Sequence, residues 1–333
     1  MSALRVAHGN LKWIKAGGGI RYAGPGGLAR WQMNEQLCPL ILRCVECESD
    51  LGPWRRGASD YRCIACGSVY SSVNGVLNVL PREGARACGD LQMGSLSSFA
   101  KTTTDRMDWE ALVNIVSGGM SDGVPERSRL FLDIGCGYGA LSTAAAKKFG
   151  LVVGIDADLG QLESVPELLK GEMPQNLVLV RAFAEKLPFR PGQFHAVTCV
   201  QTLEHVGNPD AAIGQIRLML APGGRLFLSV PNRFTLRAEP HTNLRGIGYL
   251  PKWLAERYAA ALGKAEEFRS LHFFSAGQVS ALLRAHFGTS WRFIRSGCHH
   301  TALGRLAARA WGVAALSPLI ANVVGDIEVI AWL

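Results

Sequence analysis

The chain has 333 residues, 48% apolar and 19% charged, which excludes a disordered or collagen-like polypeptide and supports two domains with a sizeable core. No apolar run reaches the roughly 18 residues of a membrane span, and residues 1–37 lack the apolar segment of a signal peptide, so a cytoplasmic location is expected. The net charge of +8 sits mostly in two tracts: residues 1–43 hold six Lys/Arg against one acid, and residues 268–325 hold six Arg and no acid. Either tract suits an anionic partner such as phosphate, nucleic acid or a membrane surface, and either suits a plain solvated face.

In chain order, residues 1–40 are a basic, Gly-rich extension. Cys44, Cys47, Cys63 and Cys66 then form two C-x-x-C pairs 15 residues apart, the spacing of a zinc ribbon. Each turn offers two thiolates to one ion, and two turns complete a tetrahedron. Gly67 stands where the second turn needs a residue free to take positive φ. Alternating apolar residues then flank Asn74-Gly75, a strong hairpin signal, so residues 41–82 read as a small β module held by metal. Residues 83–128 read as linker followed by an amphipathic helix that starts near Asp105 and ends at Gly118.

Residues 129–139 form a buried strand that breaks into Asp133-Ile-Gly135-Cys136-Gly137-Tyr-Gly139, with an Ala-rich helix behind it. Glycines let the backbone turn tightly and approach a ligand at the helix start. A second strand ends at Asp156, placed for ribose hydroxyls. Strands at Leu177–Arg181, Phe194–Val200 and Arg225–Val230 alternate with helices at Leu159–Lys170 and Asp210–Leu220, the pattern of a parallel doubly wound α/β sheet.

The blocks D-I-G-C-G-Y-G, G-I-D-A-D, A-E-K-L-P-F, T-L-E-H-V and A-P-G-G-R-L-F-L-S-V-P-N resemble, in order and spacing, class I S-adenosylmethionine (SAM)-dependent methyltransferases over residues 129–333. That resemblance implies a seven-stranded Rossmann-like sheet closed by an antiparallel pair, for which Trp291–Ser296 and Asp326–Leu333 are the candidates. It implies SAM as cofactor, with Asp133, Gly135, Cys136, Gly137 and Gly139 around its methionine part and Asp156 and Ala157 at its ribose. Phe183, Ala184 and Glu185 match the adenine side, and Gln201 follows the fourth strand. The cysteine module resembles ribbons fused ahead of bacterial methyltransferases, the activator subunit of tRNA methyltransferases, and the zinc module of certain rRNA guanine methyltransferases, where zinc is structural.

Methyltransferases of ubiquinone biosynthesis show a related E-x-x-E-H, thought to bind a divalent metal; Gln201 replaces its first acid here, so no catalytic metal is expected. His205 and His241 are the candidate bases, His205 with an alternative structural role. An insertion at residues 232–272 lies on the substrate side, where Arg233, Arg237, Glu239 and Tyr249 are acceptor-site candidates. Three functions follow. The first is methylation of oxygen or nitrogen on a small-molecule, glycan or lipid-linked acceptor, with at most peripheral membrane contact. The second is rRNA or tRNA base methylation, which salt-sensitive RNA binding would identify. The third is a non-catalytic partner module, which absence of SAM binding would identify.

Overall fold

The computed structural model describes residues 42–51, 60–82, 107–120, 123–235, 242–294 and 326–333, with Ala238 and the backbone of a few short strands in residues 12–55. Of those short strands, Lys12–Ala16, Gly19–Gly24 and Gly27–Ala29 pair as an antiparallel meander, and Gln36–Leu37 pairs with Trp54–Arg55.

The main sheet begins with β1 (Asp60–Arg62), β2 (Val69–Val73) and β3 (Val76–Asn78). It continues with β4 (Leu130–Ile134), β5 (Leu151–Asp156), β6 (Leu177–Arg181), β7 (Phe194–Val200) and β8 (Leu220–Val230), and ends with β9 (Trp291–Ile294) and β10 (Ile327–Trp332). The spatial order is β9-β10-β8-β7-β4-β5-β6-β3-β2-β1. Strands β4 to β8 are mutually parallel, and β10 runs antiparallel between β8 and β9. The seven strands expected from the sequence are therefore present in the expected arrangement, but the sheet itself has ten.

The difference lies at the ribbon. Strand β3 pairs in parallel with β6, matching Leu179 to Val76, Val180 to Leu77 and Arg181 to Asn78. The hairpin turn at Asn74-Gly75 takes φ of 50° and 81°, which returns β2 against β3 and leaves the other edge of β3 free for β6. Two further ties join the ribbon to this half of the sheet: Arg43 N–H donates to Pro188 C=O at 2.8 Å, and Leu42 bridges Phe189. One hydrophobic cluster contains Leu42, Cys44, Leu51, Tyr61, Tyr70 and Leu77 together with Ala182, Leu187, Phe189 and Phe194. Burial of each such large side chain is worth about 1.5–3 kcal/mol, so the ribbon shares the core and does not fold beside it.

Helix α1 (Trp109–Ser117) starts at Asp108, whose carboxylate accepts from Ala111 N–H, and buries Leu112, Val113 and Val116 on the sheet face of Phe131 and Phe227. Helices α2 (Ala140–Ala146) and α3 (Leu159–Leu168) cover β4 and β5, while α4 (Pro209–Met219) follows β7. The insertion at residues 232–272 holds two helices, α5 (Lys252–Ala261) and α6 (Ala265–Arg269). They enclose a separate small core of Leu244, Ile247, Ala255, Ala259 and Phe268. Helix α7 (Ala276–Phe287) opens on a capping box of Ser275 and Gln278. Among the described residues, no helix is long and apolar enough to cross a membrane.

Candidate functional site

Strand β4 ends at the carboxyl edge of the sheet, and the chain leaves it through Gly135, Gly137 and Gly139 at φ of 70°, 51° and 73°. All three take the left-handed conformation that glycine alone adopts without penalty. Gly135 has a second constraint, because a Cβ there would stand 2.0 Å from Thr202 Oγ1. Thr202 is held by donating to Ile134 C=O and Val200 C=O, so the turn after β7 presses against the glycine loop. The amides of Gly135 and Cys136 both reach Ile155 C=O, and Gly137 N–H donates to Asp156 Oδ2 at 2.9 Å. Asp156 Oδ1 accepts from Asp158 N–H at 2.9 Å. Burial pushes the Asp156 carboxyl above its ordinary range, with the two amide bonds opposing it.

Asp133 is only 2% exposed. Its Oδ2 accepts from Ser142 Oγ at 2.7 Å and its Oδ1 from Thr198 Oγ1 at 2.9 Å. Burial raises its carboxyl to about 6. Asp133 therefore ties the glycine loop, α2 and β7 together from beneath. Ser142 and Thr198 carried no sequence signal, since each becomes a partner only when the sheet assembles. Gly154 was missed too: a Cβ on it would meet Ser142 Oγ at 2.9 Å and Cys136 Sγ at 3.0 Å, so β5 must be bare where the loop packs on it.

The remaining cofactor-side candidates line the same edge. Ala157 C=O accepts from Arg181 Nε at 2.8 Å, and Phe183 and the buried Ala184 follow β6. Glu185 Oε1 accepts from the amides of Gly207 and Asn208, so this acid holds the start of α4. Gln201, at the end of β7, is a non-glycine residue at φ 51°, and its Nε2 donates to Ser229 Oγ at 3.2 Å. Strain of that kind on a non-glycine residue clusters at functional sites. His205 is half-buried with Nε2 4.0 Å from Glu204 Oε1. By contrast, His195 sits at the start of β7, where its Nδ1 accepts from Leu130 N–H.

On the acceptor side, Arg233 Nε donates to Gly248 C=O at 2.9 Å, and Tyr249 O–H donates to Phe234 C=O. A Cβ on Gly248 would collide with Arg233 C=O, so Arg233 and Tyr249 close the neck of the insertion. Arg237, Glu239 and His241 lie outside the described residues.

The four ribbon thiols converge, with all Sγ atoms within 4.8 Å of one another. Cys44 pairs with Cys66 and Cys47 with Cys63, each at 3.6 Å. That separation is near the edge of about 3.8 Å for a tetrahedron of thiolates around zinc, and far from the roughly 2 Å of a disulfide. The two knuckles repeat one backbone pattern: Glu48 and Gly67 amides reach Cys44 and Cys63 carbonyls, and Cys44 and Cys63 amides reach Ser49 and Ser68 carbonyls. Both Glu48 and Gly67 take positive φ, 59° and 73°. Ser68, through its hydroxyl and then its amide, lowers the exposed Cys66 thiol to about 6.

Residues 132–228, which carry the whole glycine loop, Asp156 and the turn after β7, match the family described as Methyltransferase domain. A ubiquinone biosynthesis O-methyltransferase of Pseudomonas entomophila is 41% identical over 110 residues, covering 31% of this chain and 44% of that protein. One of Xylella fastidiosa strain M23 is 38% identical over 168 residues, covering 46% and 65%. The chain thus spans about half the length of the first of these relatives and somewhat under two thirds of the second. Among solved structures, the YcgJ protein of Bacillus subtilis aligns over 68% of this chain and 97% of its own at a TM-score of 0.46 and 14% identity. The matched segment sits within the ten-stranded sheet, with the cysteine module on its β6 flank.

Proposed function

We propose that the chain binds SAM at the glycine loop and transfers its methyl group to an oxygen or nitrogen of a small-molecule, glycan or lipid-linked acceptor. The observation that carries this reading is the backbone at Gly135, Gly137 and Gly139, turned left-handed beside Asp156 at the carboxyl ends of adjacent parallel strands. Ligands of open α/β sheets bind at that edge. SAM, when bound, supplies a methyl group on a sulfonium that is already a good leaving group. The protein's part is then chiefly alignment of acceptor and methyl carbon. Gly135, Cys136, Gly137 and Gly139 lie along the methionine part, Asp156 and Ala157 at the ribose, and Phe183 to Glu185 at the adenine. Asp133 acts from below by fixing the loop, and Gln201 borders the reacting end.

Relatives that methylate oxygen in ubiquinone biosynthesis favour an oxygen acceptor, which needs a proton acceptor. His205 and His241 are the residues offered for that task. The neck formed by Arg233 and Tyr249, with Arg237 and Glu239 in the same insertion, borders the acceptor. We further infer a structural zinc on Cys44, Cys47, Cys63 and Cys66, on the strength of the convergent thiols.

The test is titration calorimetry of SAM, followed by incubation with labelled SAM and fractionated cell extract. Label entering small molecules or glycolipid is expected. Label entering RNA would replace the acceptor class, and absence of SAM binding in the wild type would remove the enzymatic reading.

A further inference from the structure

An open pocket of about 400 Å³ lies away from the glycine loop. Its walls are the C-terminal turn of α1 with Gly118 and Gly119, and the sheet residues Arg225, Arg292, Ile294 and Ile330. The register puts the sheet residues on one face: Arg225 is opposite Trp332, Arg292 is opposite Ile330, and β10 lies between β8 and β9. Arg225 aligns with Ala196, four residues before the pair of Val200 and Ser229 that marks the cofactor edge. At about 3.3 Å per residue that is roughly 13 Å along the strand.

Among the described arginines, Arg225 combines partial burial with the lack of a side-chain partner. Arg43 and Arg190 pair with Glu48 and Asp50, while Arg127, Arg129, Arg181 and Arg233 donate to carbonyl oxygens. Among the described residues, neither Arg225 nor Arg292 forms an ion pair or a hydrogen bond. They line the same pocket, and burial, then the Arg292 charge, disfavours the Arg225 cation. The guanidinium of Arg225 rests against Gly119, where a Cβ would come within 3.2 Å of Nη1, and Gly119 takes φ 76°. Asn114 on the rim is occupied, its Oδ1 accepting from Lys148, which also pairs with Glu126. Two like charges held over one cavity are stabilised when an anion neutralises both, and guanidinium forks suit the oxygens of a carboxylate or phosphate. Ile115, Ile294 and Ile330 supply an apolar wall beside them.

We propose that this cavity binds a small organic anion, its carboxylate or phosphate held between Arg225 and Arg292 and its apolar body against the three isoleucines. The site is separate from the SAM site and does not depend on the reading given for it.

The test uses the full chain at constant ionic strength, with calorimetry and thermal melting against hexyl phosphate, hexanoate and inorganic phosphate. Saturable binding of hexyl phosphate or hexanoate at one per chain is expected, with inorganic phosphate weaker for want of an apolar body. Arg225→Gln and Arg292→Gln should each weaken that binding by at least about ten-fold while leaving SAM affinity unchanged. Arg292 is exposed, so its variant carries the test if Arg225→Gln fails to fold. No saturable binding by any probe, or wild-type binding in the Arg292 variant, overturns the proposal. Asp122 follows Gly119 by three residues in the sequence, and binding that appears only in Asp122→Asn overturns the proposal as well, because the chain's own carboxylate would then be the counter-ion.

Discussion

The cysteine knuckles and the glycine loop both turn the chain through left-handed residues, yet the space around those residues differs. In the knuckles the donors are side chains, and the backbone needs only a turn. Glu48 occupies the left-handed position in the first knuckle, and a Cβ on Gly67 in the second would meet nothing within 4 Å. In the loop the backbone itself must lie close to its surroundings. Gly135 has Thr202 directly over it, and the space above Gly137 is bounded by Gln161. A side-chain site therefore constrains residue identity at four cysteines and little else, whereas a backbone site constrains the absence of side chains.

The largest effect that would test this contrast is expected from Cys63→Ser. Cys63 is fully buried, and removing one thiolate from a closed four-ligand site should abolish zinc binding, read as a fall from about one ion per chain to near none. The melting temperature should drop by about 5 °C or more. Because the ribbon is tied to Pro188 and Phe189 beside the adenine-side segment, SAM affinity should fall several-fold too. Unchanged SAM affinity would mean that ribbon and domain behave as independent units.

Next comes Gly135→Ala. The left-handed backbone costs about 1–2 kcal/mol for an L-residue, and displacing Thr202 adds to it. About 100-fold weaker SAM binding by calorimetry is expected, and a loss under about three-fold would break the account of the loop.

A smaller effect concerns Asp133, whose carboxyl is raised by burial from 3.8 to about 6. The folded state holds this proton more tightly than the unfolded chain does. Its stabilising contribution is thus complete below pH 3.8 and is lost as pH rises through 6. Asp133→Asn removes the buried charge while its amide oxygen still accepts from one of the two hydroxyls and its NH2 donates to the other, which rotates to accept. It should flatten that decline and raise stability at pH 7 by up to about 3 kcal/mol in urea unfolding. Parallel pH profiles for the variant and the wild type would count against it. The smallest effect is the control, Gly67→Asn, which should change stability by less than about 0.5 kcal/mol, with zinc content unaltered. A large loss there would erase the contrast between the two sites.

Much of this molecule was legible along the chain, because the features concerned are local. Two C-x-x-C turns announce a converging set of thiols, Asn74-Gly75 announces a hairpin, and Ser275 with Gln278 announces a helix start. The glycine loop is legible because its neighbours along the chain, a buried strand and an Ala-rich helix, say what it joins. The α5 and α6 helices were not legible: their apolar residues Ala255, Ala259 and Phe268 are few, and they cover a small satellite core.

The sequence by itself determined the order of strands and helices from β4 to β8, the four cysteines and the glycines after β4, since each depends on residues within about twenty positions of one another. Only the tertiary structure decided that the ribbon extends the sheet through β3 and β6, because the pairing of Val76–Asn78 with Leu179–Arg181 spans some hundred residues and uses backbone groups common to every strand. The same holds for Asp133 meeting Thr198, for Gly135 meeting Thr202, and for Arg225 and Arg292 lining one pocket. A contact between distant side chains leaves no periodic trace in the chain, and it exists only once hydrophobic burial has brought the strands together.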